Sequence, residues 1–267
     1  MTTRAPVRSI AALGMATVGI AATAAACAGP QSAPAPSSSP SGASGEITVF
    51  AASSLTSVFS TLSEQFDETY PGTDVHFSFA GSTDLVAQLT QGAPADVFAA
   101  ADETSMAAAV DTGLITGVPA VFAANTLTIV TRPGNPRGIR AFADLARPGV
   151  SVVLCAPQVP CGAAGVKLQE LTGVTITPAS EESSVVGVLG KVLSGEADAG
   201  LVYATDAEAA GGKVTVVAIP ESGSATNRYP IALLADSRNP DLAERFVELV
   251  TGPAGRRICA DAGFAVP

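Results

Sequence analysis

Apolar positions along the chain switch repeatedly between two spacings. Short apolar or alternating runs predict strands at EITVFA (46–51), at Val75, Phe77 and Phe79 with His76 and Ser78 between them, and at Asp96–Ala99. Further strand-like runs are TLTIVT (126–131), VSVVL (150–154), AGLVYA (199–204) and VTVVAI (214–219). Between them Leu55, Val58, Phe59, Leu62 and Phe66 fall at helical spacing, and Tyr70-Pro71-Gly72 stops that helix. Leu85, Val86 and Leu89 mark a second helix closed by Gly92; residues 165–171 and 185–193 mark two more. Strand and helix in alternation predict an α/β fold with largely parallel sheets. No internal repeat is visible.

In such sheets, ligands sit beyond the carboxyl ends of the strands, where helices begin. Four of these junctions stand out. They read FAASSL around Ser53 and Ser54, FAGSTDL around Gly81 and Ser82, CAPQVPCGAAG with a helix from Gly162, and SEESSVVGVL with a helix near Val185. All four are rich in small residues and none carries Lys or Arg. A helix start offers unpaired N–H groups and partial positive charge, and serine adds a hydroxyl donor. Any one such serine reads first as a helix cap. Several converging on one point would bind an anion without a formal positive charge.

The body's charge supports local rather than global attraction. Arg4 and Arg8 precede residue 27, which leaves 12 basic against 24 acidic residues in the remainder, a net charge of −12. That excess argues against nucleic acid and anionic membrane surfaces. With 47% hydrophobic and 14% charged residues the chain can bury a core, and 267 residues suit one large domain or two small ones. The N-terminus has its own pattern. Two arginines precede an uncharged Ala-rich run over 9–26, then Cys27, then a charge-free Ser/Pro/Ala segment over 28–45. Residues 1–26 read as an export signal, with an N-terminal membrane helix as the alternative. The Ala24-Ala25-Ala26-Cys27 run resembles a bacterial lipobox, which implies lipidation of Cys27; Ala24 stands where that box usually has Leu. Residues 27–45 are then a lipidated cysteine with a solvated tether. This implies an exported protein held by lipid at the outer face of the cytoplasmic membrane.

FAASSL and FAGSTDL, followed by QLTQGAPADVFAAAD (89–102), CAPQVPCG (155–162) and GLVYATDA (200–207), resemble the periplasmic-type molybdate-binding proteins of bacterial ABC importers. The likeness runs through the body to GPAGRRICADAGF (252–264). It implies a two-lobed type II periplasmic-binding-protein-like fold, with mixed and parallel sheets flanked by helices. The lobes would be 46–126 plus 229–267, and 127–228, with hinge strands near 126–131 and 229–234. It implies molybdate or tungstate as ligand and no cofactor. The implied donors are Ser54, Ser82, the Cys161 and Val185 N–H groups, and the Tyr203 hydroxyl. The implied partners are an ABC permease and its ATPase subunit, with the binding protein a monomer. Cys161 stands where the family's turn commonly has Ala, which matters little if only its N–H is used. Asp84, two residues past Ser82, is a departure that favours an anion only if it points away or caps its own helix.

The chemistry agrees with that resemblance. Molybdate carries no proton at neutral pH and only accepts hydrogen bonds, so a donor-only site suits it, whereas hydrogenphosphate also needs an acceptor. Sulfate, phosphate or ferric ion are the alternatives within the binding class. From another class, a serine hydrolase lacks support: there is no G-x-S-x-G, and the one histidine, His76, falls on the solvated side of an alternating strand. No phosphate-binding loop for nucleotides is present, and the chain reads as a binding protein rather than an enzyme. Cys155 and Cys161 flank a short Pro-containing turn and are expected to pair, leaving Cys259 free; three buried thiols are the alternative.

Overall fold

The computed structural model of the chain describes residues 44–267. The export segment, Cys27 and most of the tether lie outside those residues. The first sheet contains β1 (Gly45–Ala52), β2 (Thr73–Ala80), β3 (Val97–Ala99), β4 (Ile115–Asn125) and β10 (Asn227–Leu234). The second contains β5 (Leu127–Thr131), β6 (Val152–Cys155), β7 (Ser180–Glu182), β8 (Ala199–Tyr203) and β9 (Thr215–Val217). The helices are α1 (Thr56–Thr69), α2 (Ser82–Thr90), α3 (Glu103–Asp111), α4 (Pro160–Thr172), α5 (Val185–Ser194), α6 (Ala204–Ala210), α7 (Pro240–Thr251) and α8 (Pro253–Asp261).

The two sheets share one plan. Their orders are β2-β1-β3-β10-β4 and β7-β6-β8-β5-β9. In each, the first three strands are parallel and the fourth runs against its neighbours. The sheets are therefore mixed. The antiparallel strand in each is the one laid down just after the chain crosses from the other sheet. The first crossing is at Thr126, between β4 and β5, and the second spans residues 218–226. Thus β5 lies wholly in the second sheet and β10 wholly in the first. Asn125 pairs with Asn227 across β4 and β10, which sets the ends of the two crossings side by side.

Several local departures have clear causes. β1 begins at Gly45, the last residue assigned to the tether. α4 begins at Pro160, two residues before Gly162, because proline's missing N–H and fixed φ suit a helix start. Cys161 therefore sits inside the first turn. β4 has no readable alternation because Gly117, at φ 72°, and Pro119 interrupt it.

The helices bury the faces their spacing predicts. Val58, Phe59, Leu62 and Phe66 of α1 are buried, and Phe246 of α7 meets Phe59 and Phe66 edge-on at 5.9 and 5.5 Å. Burying each such ring contributes roughly 1.5–3 kcal/mol. Asp96 ties the first sheet together before β3. Its carboxylate accepts from the Thr48 N–H, the Ser237 hydroxyl, and the Arg238 and Asn239 N–H groups. Burial alone would raise its pKa, but these four bonds outweigh burial and hold it below the ordinary value.

Candidate functional site

The strand ends and helix starts singled out above meet in one place. A narrow cavity of only about 10 Å³ between the sheets is lined by Ser54, Ser82, Cys161, Val185 and Tyr203 together. The rest of its wall comes from Ala, Gly, Ser and Pro residues, and no charged side chain lines it. Each lining residue arrives by the same local device. β1 ends and a 3-10 turn, Ser53–Leu55, presents Ser54. β2 ends at Ala80, Gly81 caps α2, and Ser82 is its first residue. β6 runs into the turn that opens α4 at Cys161. β7 leads to Ser184, whose hydroxyl accepts from the Gly187 N–H at 3.3 Å and leaves Val185 as the first residue of α5. Tyr203 closes β8.

The polar atoms here are deeply placed. Ser82 is 1% exposed, and its oxygen accepts a hydrogen bond from the Ala101 N–H at 2.9 Å. The Ser82 proton is therefore free to be donated elsewhere. Ser54 is 8% exposed, and its oxygen lies 3.0 Å from the hydroxyl of Tyr229, a fully buried residue of β10. The Tyr203 hydroxyl is buried and has no hydrogen-bond partner among the described residues. Burial first, and the adjoining Tyr229 second, push its phenol well above the ordinary value, so it stays protonated and able to donate. An unpartnered buried donor is costly, and a bound acceptor would relieve it.

Hydrogen bonds also join the walls of the cavity from both sides. The Thr83 hydroxyl donates to the Gln158 carbonyl at 3.1 Å, linking α2 to the turn before α4. Asn227 donates to the carbonyls of Ala101 at 3.0 Å and Pro160 at 3.3 Å, joining the two sheets behind the cavity. Asn125 donates to the Thr205 hydroxyl at 2.8 Å. Gly81 packs so tightly on the loop before α5 that a Cβ there would overlap the Ser183 carbonyl oxygen.

Cys155 and Cys161 are joined by a disulfide with Cα atoms 5.7 Å apart. It braces the turn that carries the Cys161 N–H. Among the described residues Cys259 is the free cysteine; burial pushes its thiol up to about 12, so it stays protonated. Asp84 does not line the cavity. Its carboxylate turns back toward Gly81, the cap of its own helix, where negative charge suits the helix start. His76 is exposed, 3.5 Å from Glu46 and 3.6 Å from Asp74, remote from the cavity lining.

Two neighbours of the site carry no junction signature. Tyr229 is one. The other is Asp206, in the first turn of α6, whose Oδ2 is buried without a hydrogen-bond partner among the described residues. Burial pushes the Asp206 carboxyl up from 3.8 to about 7. Asp206 also lines a wider groove between α1, α5, α6 and α8 that shares Ser53 and Ser54 with the cavity wall.

Comparison with known proteins agrees with this architecture. Residues 47–265 match the model of the bacterial extracellular solute-binding protein family. The chain is 51% identical over 235 residues to the molybdate-binding protein ModA of Mycobacterium tuberculosis, covering 87% of this chain and 90% of that one. It is 32% identical to the molybdate-binding protein ModA of Escherichia coli, covering 83% of this chain and 90% of that one. Among solved structures, the periplasmic molybdate-binding protein of Azotobacter vinelandii aligns with a TM-score of 0.72 at 25% identity, over 83% of this chain and 99% of that one. The chain belongs to the bacterial extracellular solute-binding proteins and, within them, to the ModA family.

Proposed function

We propose that the chain captures molybdate, and tungstate with it, and hands it to an ABC permease driven by an ATPase subunit. One observation carries this reading: hydroxyl groups and four helix starts converge on one cavity whose wall, among the described residues, contains neither a cation nor a carboxylate. Such a wall offers donors and no strong acceptor, which suits a proton-free dianion. Local dipoles supply the attraction that a net charge of −12 over residues 27–267 withholds at long range. Release needs no buried ion pair to be broken. The roles are binding roles: Ser54, Ser82, the Cys161 and Val185 N–H groups and Tyr203 each donate to an oxyanion oxygen.

The two sheets and their helices serve as two lobes, 46–126 with 229–267, and 127–228, turning about the adjacent crossings at Thr126 and near Asn227. The protein works as an exported monomer tethered through lipidated Cys27. The deciding experiment is thermal unfolding and calorimetry with molybdate, tungstate, sulfate and phosphate. One-to-one binding of molybdate and tungstate, with sulfate much weaker, is expected. Ser82→Ala should lose about 1.5–3 kcal/mol of molybdate binding, because it deletes a hydrogen bond to a charged group. Sulfate bound as tightly as molybdate would defeat the specificity reading. Cys27→Ala should release the protein from membranes without changing affinity.

A further inference from the structure

On the oxyanion reading above, we infer that Tyr229 is a positioning residue that turns the single proton of Ser54 into the cavity and so selects unprotonated oxyanions. A serine hydroxyl has one proton to give. If Ser54 donated to Tyr229, nothing would remain for a ligand. The 3.0 Å contact places the two oxygens in hydrogen-bond range. A phenol is a stronger acid than an alkyl alcohol, which favours Tyr229 as the donor of the pair and Ser54 as the acceptor. The Ser54 proton is then free to turn into the cavity, one of the two spaces that Ser54 lines.

Tyr229 is built to hold that direction. It is fully buried in β10, paired to β4 at Ala123. Its ring is clamped edge-on by Phe122, Tyr203 and Phe264, with centroids 6.5, 5.8 and 5.4 Å away. Ser82 is set by the same logic through a different donor. The Ala101 N–H cannot accept, so at 2.9 Å it fills a Ser82 lone pair and leaves the Ser82 proton for the ligand. Both site serines are thus polarised from behind, one by a backbone group and one by a side chain. A protonated oxyanion that presents its hydroxyl to Ser54 meets proton against proton. Without the Tyr229 hydroxyl, Ser54 can rotate and accept.

The test is a double-mutant cycle on the full chain, read by calorimetry with molybdate and hydrogenphosphate at about pH 8. Tyr229→Phe should weaken molybdate about tenfold, the size of one charge-assisted hydrogen bond. It should leave hydrogenphosphate unchanged or tighter, so that the preference for molybdate falls by at least the same factor. In a Ser54→Ala background, Tyr229→Phe should change molybdate affinity less than about twofold, since its target is gone. Loss of both anions alike in Tyr229→Phe, or an undiminished effect without the Ser54 hydroxyl, would overturn the assignment and leave Tyr229 a core residue. Ser54→Ala alone breaks the same bond from the cavity side. It should erode the molybdate preference even if Tyr229→Phe folds poorly, and an unchanged preference there would also count against the inference. An unmutated chain that ignores molybdate would defeat the underlying ligand reading instead.

Discussion

At the scale of single residues, the cavity and the wider groove beside it hold groups of very different cost. The Tyr203 hydroxyl waits without a partner, which is tolerable if an oxyanion completes it. Tyr203→Phe keeps the ring and deletes only the donor. Molybdate binding should weaken by about 1–3 kcal/mol while the melting temperature without ligand barely moves. A large loss of unliganded stability with unchanged affinity would mark it as packing. Asp206 is the opposite case. Its carboxyl ionises near 7 in the folded chain because burial disfavours the charge. The unfolded chain ionises it near 3.9. Between those values the folded state holds the extra proton, so this residue's stabilising share is present at low pH and drains away as pH rises to about 7. By pH 8 the full cost of a buried charge remains, up to about 4 kcal/mol. Asp206→Asn should raise the melting temperature at pH 8 and flatten its decline between pH 5 and 8. A steeper decline in the variant would refute the account. Ser54 and Ser82 and the helix starts near Cys161 and Val185 are readable because each sits at a strand–helix junction with a local signature; Tyr203 and the grouping of all five as one donor set come from the family resemblance. Tyr229 is not readable, since its partner Ser54 is 175 residues away and only the antiparallel seating of β10 brings them together.

At the scale of elements, legibility followed periodicity. α1 and α5 appear where their apolar spacing puts them, and β1, β2 and β8 lie within a residue or two of their runs. α6, seven residues of ATDAEAA, has no apolar period to detect, and β4 is broken by Gly117 and Pro119. α4 begins two residues before the predicted Gly162, and that shift sets Cys161 in the first turn, where helix N–H groups are unpaired. The disulfide then bridges the end of β6 and this turn. A loop that short should add about 2 kcal/mol of stability. Cys155→Ser with Cys161→Ser should lower the melting temperature accordingly and weaken molybdate binding several-fold, because the donor turn loses its brace. Calorimetry and thermal unfolding of that double variant, with and without reductant, check both effects. A variant that binds normally would confine the bond to stability.

At the scale of the whole molecule, two sheets of one plan face each other across the cavity, though no repeat is visible in the sequence. The match lies in strand order, which side-chain identity does not record. Closure depends on how near the two halves approach. Gly81 lies against the Ser183 carbonyl with no room for a methyl group, and Thr83 bonds Gln158 beside it. Gly81→Ala should therefore hold the halves apart. Small-angle scattering should show less compaction with molybdate than in the unmutated chain, and affinity should fall at least tenfold. The unliganded melting temperature should stay nearly constant, since φ at Gly81 is −62° and alanine adopts it freely. Full compaction with unchanged affinity would show that the contact can slide.

The seating of β10 also has a consequence for how the chain is made. β3 and β4 lie on either side of it, and neither bonds the other. Until residues 227–234 leave the ribosome, the first sheet is two pieces with open edges and no strand between them. The nascent chain cannot finish its amino-terminal half first. It stays unfinished until translation is nearly over, which is the state in which a chain can still be threaded through a membrane channel. A fragment ending at residue 226 should accordingly remain protease-sensitive and aggregate, and adding back the missing 41 residues as a separate peptide should rescue its solubility.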